Sequence, residues 1–425
     1  MTTRPCVVIV GAGFGGLTAA KALRHEPVDV LLIDRQNYHL FQPLLYQVAT
    51  GLLDPSQIAR PVRTVLRHAR NVDVRMADVT GVDTSSRTVH TSAGDEHYDV
   101  LVMATGSSTN FFGIEHLEER ATGLKDLPEA LGLRARLLAA FERAATCDDE
   151  STRRRLLTFA IAGGGPTGVE LAGSFAELIR HVLPRDFPHL NFNEANVVLV
   201  EGSDRLLGTF APRLGRKAAA HLRRLGVELV LQRTVTDVQS GALVLDDGTR
   251  VDAGTVVWTA GVRAAPLAEM LGLTAARHGR VAVTPSLHLE GRDDVFVIGD
   301  AAALQENGEP LPMLAPVAIQ EGEHVARVLR ARREGQPEPP FHYRDKGTMA
   351  TIGRGNAVAE IGPVRIAGLI GWLLWVFVHL MYLVGFRSKL IVFATWAWNY
   401  FFYDRPVRLI VGTSADVPRI RTEDM

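Results

Sequence analysis

The chain has 425 residues, of which 47% are hydrophobic and 22% charged. That is enough for two or three domains and excludes a mainly disordered protein. A formal net charge of −1, with no long basic run, argues against nucleic acid as a partner. Two widely separated cysteines, Cys6 and Cys147, exclude a disulfide framework and a C-x-x-C dithiol, and point to a reducing compartment.

Val7-Val8-Ile9-Val10 reads as a buried strand, beginning too close to Met1 to leave room for a secretory signal peptide. It runs into Gly11-Ala12-Gly13-Phe14-Gly15-Gly16 and a good helix from Leu17 to Leu23. Strand, G-x-G-x-x-G, helix is the order that a dinucleotide pyrophosphate requires. Gly11 permits the tight turn, Gly13 the close approach of phosphates and Gly16 the packing of helix on strand, while the helix N-terminus offers free N–H groups. The next strand, Val28 to Asp34, ends in an acid 18 residues after Gly16. That is the place of a carboxylate accepting a ribose hydroxyl, although a strand-end turn would use the same residue. Asn37 to Gly51 is apolar and aromatic, with Pro43 set to interrupt a helix. It suits either packing against a flat cofactor ring or the filling of a buried loop.

Strand-like segments at 72–76, 79–83 and 88–91 lead to Tyr98–Gly106, which closes on Ala-Thr-Gly. The pattern then repeats. Leu156–Ala162 precedes Gly163-Gly164-Gly165-Pro166-Thr167-Gly168, and a helix is expected from Val169 to about Leu183. Asn196–Val200 ends in Glu201, 33 residues after Gly168 because a proline-containing loop intervenes. Thr255–Gly261 matches the earlier small-residue strand end. The expected fold is therefore α/β, with two Rossmann-like dinucleotide-binding domains, the second inserted in the first. Glu201 would accept ribose hydroxyls and repel a 2′-phosphate, favouring NADH over NADPH, with Arg205 close enough to weaken the preference. Val295–Ala302 closes on Gly299-Asp300, an acid suited to a flavin ribityl chain. No His/Cys cluster has ligand spacing, so no metal is expected.

Two glycine fingerprints, Ala-Thr-Gly and a late Gly-Asp together resemble the two-dinucleotide-domain flavoproteins. Cys6, inside a strand, and Cys147, in a charged segment, speak against the members that work through cysteines. His39-Leu40-Phe41-Gln42-Pro43-Leu44-Leu45-Tyr46-Gln47, Gly164–Gly173, Tyr343–Gly353 and the aromatic C-terminus resemble the type II, non-proton-pumping NADH:quinone oxidoreductases across nearly the whole chain. The resemblance implies FAD held by Gly11, Gly13, Gly15, Gly16, Asp34, Arg35, Pro43, Val79, Asp300, Val317 and Ala318. It implies NADH held by Gly163, Gly165, Gly168, Glu201, Ala260 and Gly261. Glu170 would handle a proton or position the nicotinamide, where the plain alternative is an acid on a helix dipole. The implied domains are 1–110 with 262–330 for FAD, 111–261 for NADH, and a C-terminal region at 331–425 with membrane-anchoring helices.

One departure concerns the quinone side. The family's Ala-Gln-x-Ala-x-Gln reads here Ala315-Pro316-Val317-Ala318-Ile319-Gln320, so the first glutamine's amide donor is lost at Pro316 while Gln320 remains. Pro is well suited to a helix start, so the substitution bears on the acceptor and spares the fold.

Gly368 to Phe386 carries no formal charge, yet nineteen helical residues reach only ~28 Å, marginal for one span. Leu390–Tyr403 is too short to return. Trp372, Trp375, Trp396 and Trp398 beside Arg387, Lys389 and Arg405 suit two helices lying in one leaflet, with a single span or a buried dimer interface as the other uses. The expectation is a monotopic enzyme at the cytoplasmic face of the cell membrane, with a homodimer left open. It would pass a hydride from NADH to FAD and two electrons to menaquinone or ubiquinone. The rivals are a ferredoxin or small-protein reductase, and a redox-sensing flavoprotein that binds a partner.

Overall fold

The computed structural model describes residues 4–410 except 115, 240 and 307. The chain divides into two compact units. Among the described residues, one comprises 4–40, 59–108 and 262–346, the other 41–58, 109–261 and 347–410. The aromatic stretch after the second strand thus divides after Leu40: 41–58 groups with the second unit, as do the described residues from Gly347 to Ile410.

The first unit is built on a six-stranded sheet in the order His288–Leu289, Arg292–Val297, Val100–Met103, Cys6–Val10, Asp29–Asp34, Val72–Met76. All neighbours run parallel except the first pair. Val7, Val8 and Ile9 are fully buried, as a parallel strand covered on both faces demands. The Phe14–Leu23 helix packs along Ala315–Arg333. Gly322 makes that contact possible, because a Cβ there would fall on the Gly15 carbonyl oxygen.

The second unit repeats the plan with four parallel strands, Val227–Leu231, Asn196–Glu201, Thr158–Ala162 and Thr255–Trp258. In each unit the fingerprint strand lies between the acid-ended strand and the small-residue-ended one. The helix expected from Val169 to about Leu183 begins at Pro166 and is regular to Glu177, then passes through a π-turn at Leu178–Val182 and ends at Asp186. Pro43 interrupts no helix, because it sits at the start of the Gln42–Leu44 3-10 turn that leads into Leu45–Ala49.

Downstream, the hairpin pair Thr348–Gly353, Asn356–Ile361 and Val364–Gly368 supports two helices, Leu369–Tyr382 and Phe386–Phe402. Their apolarity faces outward. Ile370, Leu373, Phe377 and Met381 form an exposed stripe on the first, and Phe386, Leu390, Phe393 and Phe401 on the second. The buried stripe of the second helix is Ser388, Val392, Trp396 and Asn399. No helix among the described residues is long and apolar enough to cross a membrane.

Candidate functional site

The two fingerprints have the same backbone. Gly11 and Gly163 adopt φ +102° and +109°, in the left-handed region that glycine favours, and a Cβ on Gly16 or Gly168 would strike the carbonyl oxygen of that first glycine. Gly11 N–H donates to Ile33 O and Gly163 N–H to Val200 O, both at 2.8 Å. Each following helix starts on a glycine, Gly13 or Gly165, with no side-chain cap and no acid in its first turn. A Cβ on either of these glycines would meet nothing within 4 Å. Each unit therefore offers an open cradle with uncapped helical N–H groups, which is what a pyrophosphate occupies. Both cradles fit a dinucleotide.

The acids close both turns. Asp34 accepts from Ala12 N at 2.6 Å and Gln36 N at 2.7 Å. Glu201 accepts from Gly164 N at 2.6 Å through one oxygen, and from Ser203 N and Oγ at 2.8 and 2.7 Å through the other. Burial pushes the Asp34 carboxyl up, and the two amides pull it back. Arg205 donates to Gly208 O at 3.2 Å. The Thr259–Ala260 main chain abuts Gly163, and the ring of Phe112 lies over Gly261.

Around the first cradle, His39 is buried with Nδ1 2.9 Å from Ala12 O and its ring edge-on to Phe14. Burial holds its pKa at about 4, so the imidazole is neutral. Asp300 sits in the Gly299–Ala301 turn and accepts from Ser107 Oγ. Val317 and Ala318 are buried in the first turn of Ala315–Arg333. Val79 opens a strand opposite Thr91. Arg35 is exposed. Pro43, expected with this group, belongs to the second unit. Gln320, expected on the quinone side, spends its amide on Arg344, donating to its carbonyl at 3.0 Å and accepting from its N–H at 3.1 Å. Pro316, in the first turn of the same helix, supplies no side-chain donor.

Glu170 lies in the first turn and a half of Pro166–Glu177 and is 9% exposed. Gly173 lets that helix press on Thr348–Gly353, since a Cβ there would strike the Ile352 carbonyl. This brings Thr351 N–H to 3.3 Å from Glu170 Oε1. Burial pushes the Glu170 carboxyl up to about 8. The Thr351 N–H pulls against that, and the Trp375 indole N–H pulls more weakly without reaching hydrogen-bond geometry. The acid faces a cavity of about 50 Å³ lined by Tyr46, Gln47, Trp372, Trp375 and Trp396. Farther along the same helix, Ser174 and Glu177 meet the fully buried Arg405, which bonds Ser174 Oγ at 3.0 Å, Thr50 O at 3.1 Å and Glu177 at 3.5 Å. Tyr46, Gln47 and Thr351 had no part in the expected site, because nothing in their spacing links them to Glu170. No group of His, Cys, Asp and Glu able to hold a metal occurs among the described residues.

The pyridine nucleotide-disulphide oxidoreductase family model matches residues 5–322, and the NDH2 C-terminal domain model residues 346–404. The chain is 43% identical to the type II NADH:quinone oxidoreductase Ndh of Mycobacterium tuberculosis, over 99% of this chain and 93% of that protein. It is 30% identical to the type II NADH:quinone oxidoreductase of Staphylococcus haemolyticus, over 86% and 92%. Among solved structures, NDH2 from Plasmodium falciparum in complex with NADH shares the fold at a TM-score of 0.88 and 20% identity, covering 96% of this chain and all of that one. With both dinucleotide cradles and the C-terminal domain in place, the chain belongs to the type II NADH:quinone oxidoreductases, flavoenzymes of the two-dinucleotide-binding superfamily.

Proposed function

We propose that the first cradle keeps FAD, through Gly11, Gly13, Gly15, Gly16, Asp34 and Asp300, and that the second takes NADH in exchange with solvent, the electrons passing on to a membrane quinone. FAD, when bound, supplies the chemistry that accepts a hydride and releases two electrons. Glu201 receives the adenine-side ribose, and its charge disfavours a 2′-phosphate. Arg205 is turned toward Gly208 and leaves that preference for NADH in force.

The observation that carries the quinone assignment is the Glu170 cavity, where the second fingerprint helix and the two C-terminal helices share one set of walls. Quinone reduction consumes protons as well as electrons. With a pKa near 8, Glu170 keeps its proton at neutral pH and can give it to a quinone oxygen. Trp372, Trp375 and Trp396 offer flat apolar faces for a quinone ring. Pro316 and the engaged Gln320 leave the hydrogen bonding of the quinone carbonyls to this cavity.

The outward apolar stripes support a seat in one membrane leaflet, with Arg387 at headgroup level, and the side proposed is the cytoplasmic face, where NADH is available. The test is anaerobic. NADH should bleach the flavin absorbance, and menaquinone or ubiquinone should restore it. Failure of both quinones, with recovery by a protein acceptor, overturns the assignment.

A further inference from the structure

Asp300 rides on a turn whose two ends are held by an acid and a base buried in the same unit. Glu321 Oε2 accepts the Gly299 N–H at 2.5 Å. Arg280 Nε donates to Ala302 O at 2.7 Å, and its Nη1 to Leu311 O at 2.8 Å. Glu321 is 1% and Arg280 5% exposed. Buried polar side chains of this kind persist only where they are paired or hydrogen-bonded, and here both are spent on the main chain of one short segment.

The placement follows from the sheet. Ile298 N–H bonds Met103 O at 3.0 Å, the last rung before the chain leaves the strand. Gly299 then turns to φ +71°, and its N–H points to Glu321. Without an acceptor that N–H would be buried and unpaired. Glu321 meets it from the Ala315–Arg333 helix, one residue before Gly322, where that helix closes on the Gly15 carbonyl. The carboxyl is thereby held at a fixed distance from the first fingerprint, and with it the turn that carries Asp300.

We infer that Glu321 and Arg280 are positioning residues for FAD, a hydrogen-bonding bracket that fixes the Gly299–Ala301 turn and so the reach of Asp300 toward the ribityl hydroxyls. The inference rests on the assignment of FAD to this unit. Burial pushes the Glu321 carboxyl up to about 8, against the pull of the Gly299 N–H and the Arg280 charge. At neutral pH it acts as a neutral acceptor, for which a glutamine amide can stand in.

Flavin dissociation constants are measured on the full-length holoenzyme, by release into flavin-free buffer, for the wild type, E321Q, E321N, R280K and D300A. E321N withdraws the acceptor by one methylene without adding charge, and should raise the constant at least tenfold and blur the vibronic shoulders of the 450 nm flavin band. E321Q should stay within threefold and keep those shoulders, a rescue that lost packing would not predict. R280K, unable to reach both carbonyls, should weaken binding about fivefold, and decides the matter if E321N does not fold. Wild-type retention by E321N or R280K, while D300A releases flavin, overturns the bracket and spares the FAD assignment. Wild-type retention by D300A overturns both.

Discussion

The indole N–H of Trp396 donates to Gln47 Oε1 at 2.7 Å, and the Gln47 amide donates in turn to the Tyr46 hydroxyl at 2.8 Å. Trp396 belongs to the inner stripe of Phe386–Phe402, and Gln47 to the short helix Leu45–Ala49. All three side chains are buried. Trp396→Phe keeps the ring but strands the Gln47 oxygen, which should cost about 1–3 kcal/mol. Denaturant unfolding should show a lower midpoint at unchanged slope.

The fingerprint glycines should separate by role. Gly13→Val points into open space, so the polypeptide should fold and yet be colourless, its cradle filled where phosphate belongs. Gly16→Val drives a side chain into the Gly11 carbonyl and should fail to accumulate as folded protein. Gly165→Val should stay yellow and lose NADH-dependent bleaching. A yellow Gly13→Val protein would mean that the flavin lies elsewhere.

Glu170 ties stability to pH. Between about 4.5, its ordinary value, and about 8, the folded protein keeps a proton that the unfolded chain has released. Stability from this group is therefore fully present below the ordinary value, falls as pH rises through the window, and is level above it. Glu170→Gln should remove a slope on the order of 2–4 kcal/mol between pH 5 and pH 8. Guanidinium titrations of both proteins at the two pH values provide the check. In kinetics, the same variant should lose the alkaline fall in quinone reduction near pH 8 while NADH still bleaches the flavin.

Glu201→Gln keeps an acceptor for Gly164 N–H but removes the charge. KM for NADPH should fall about tenfold and KM for NADH should rise about threefold, with flavin content unchanged. Steady-state rates with both nucleotides decide this. An unchanged ratio of the two would remove Glu201 from nucleotide selection.

On the two C-terminal helices, Phe377 and Phe393 are 62% and 55% exposed. The double substitution Phe377→Asp and Phe393→Asp should change folding stability by less than about 0.5 kcal/mol per site, as exposed positions do. Sedimentation with anionic vesicles should drop severalfold. Reduction of a water-soluble quinone analogue should persist.

Much of the geometry of the two glycine cradles was legible because it is local. Gly11–Gly16 and Gly163–Gly168 dictate their turns within six residues, and Asp34 and Glu201 each end a strand beside the fingerprint strand. The Glu170 surroundings were not legible. Thr351 arrives from 181 positions away, and it does so through a main-chain N–H, which carries no signature of residue type. The engagement of Gln320 was hidden for a related reason. Its motif spacing is intact, but an Arg344 main chain 24 residues on has taken both ends of its amide. Glu321 escaped notice because a carboxyl on a helix normally reads as a solvated face, and only the buried N–H of Gly299 shows its use.

The outward stripes also bear on encounter rates. A lipophilic acceptor is concentrated within the bilayer and scarce outside it, so an enzyme seated on that surface searches in two dimensions for one partner and in three for the other. Its turnover should then track the mole fraction of quinone in the lipid rather than its total concentration in the vessel. Diluting the same vesicles with buffer would leave the rate per enzyme unchanged, whereas diluting the quinone with more lipid would slow it.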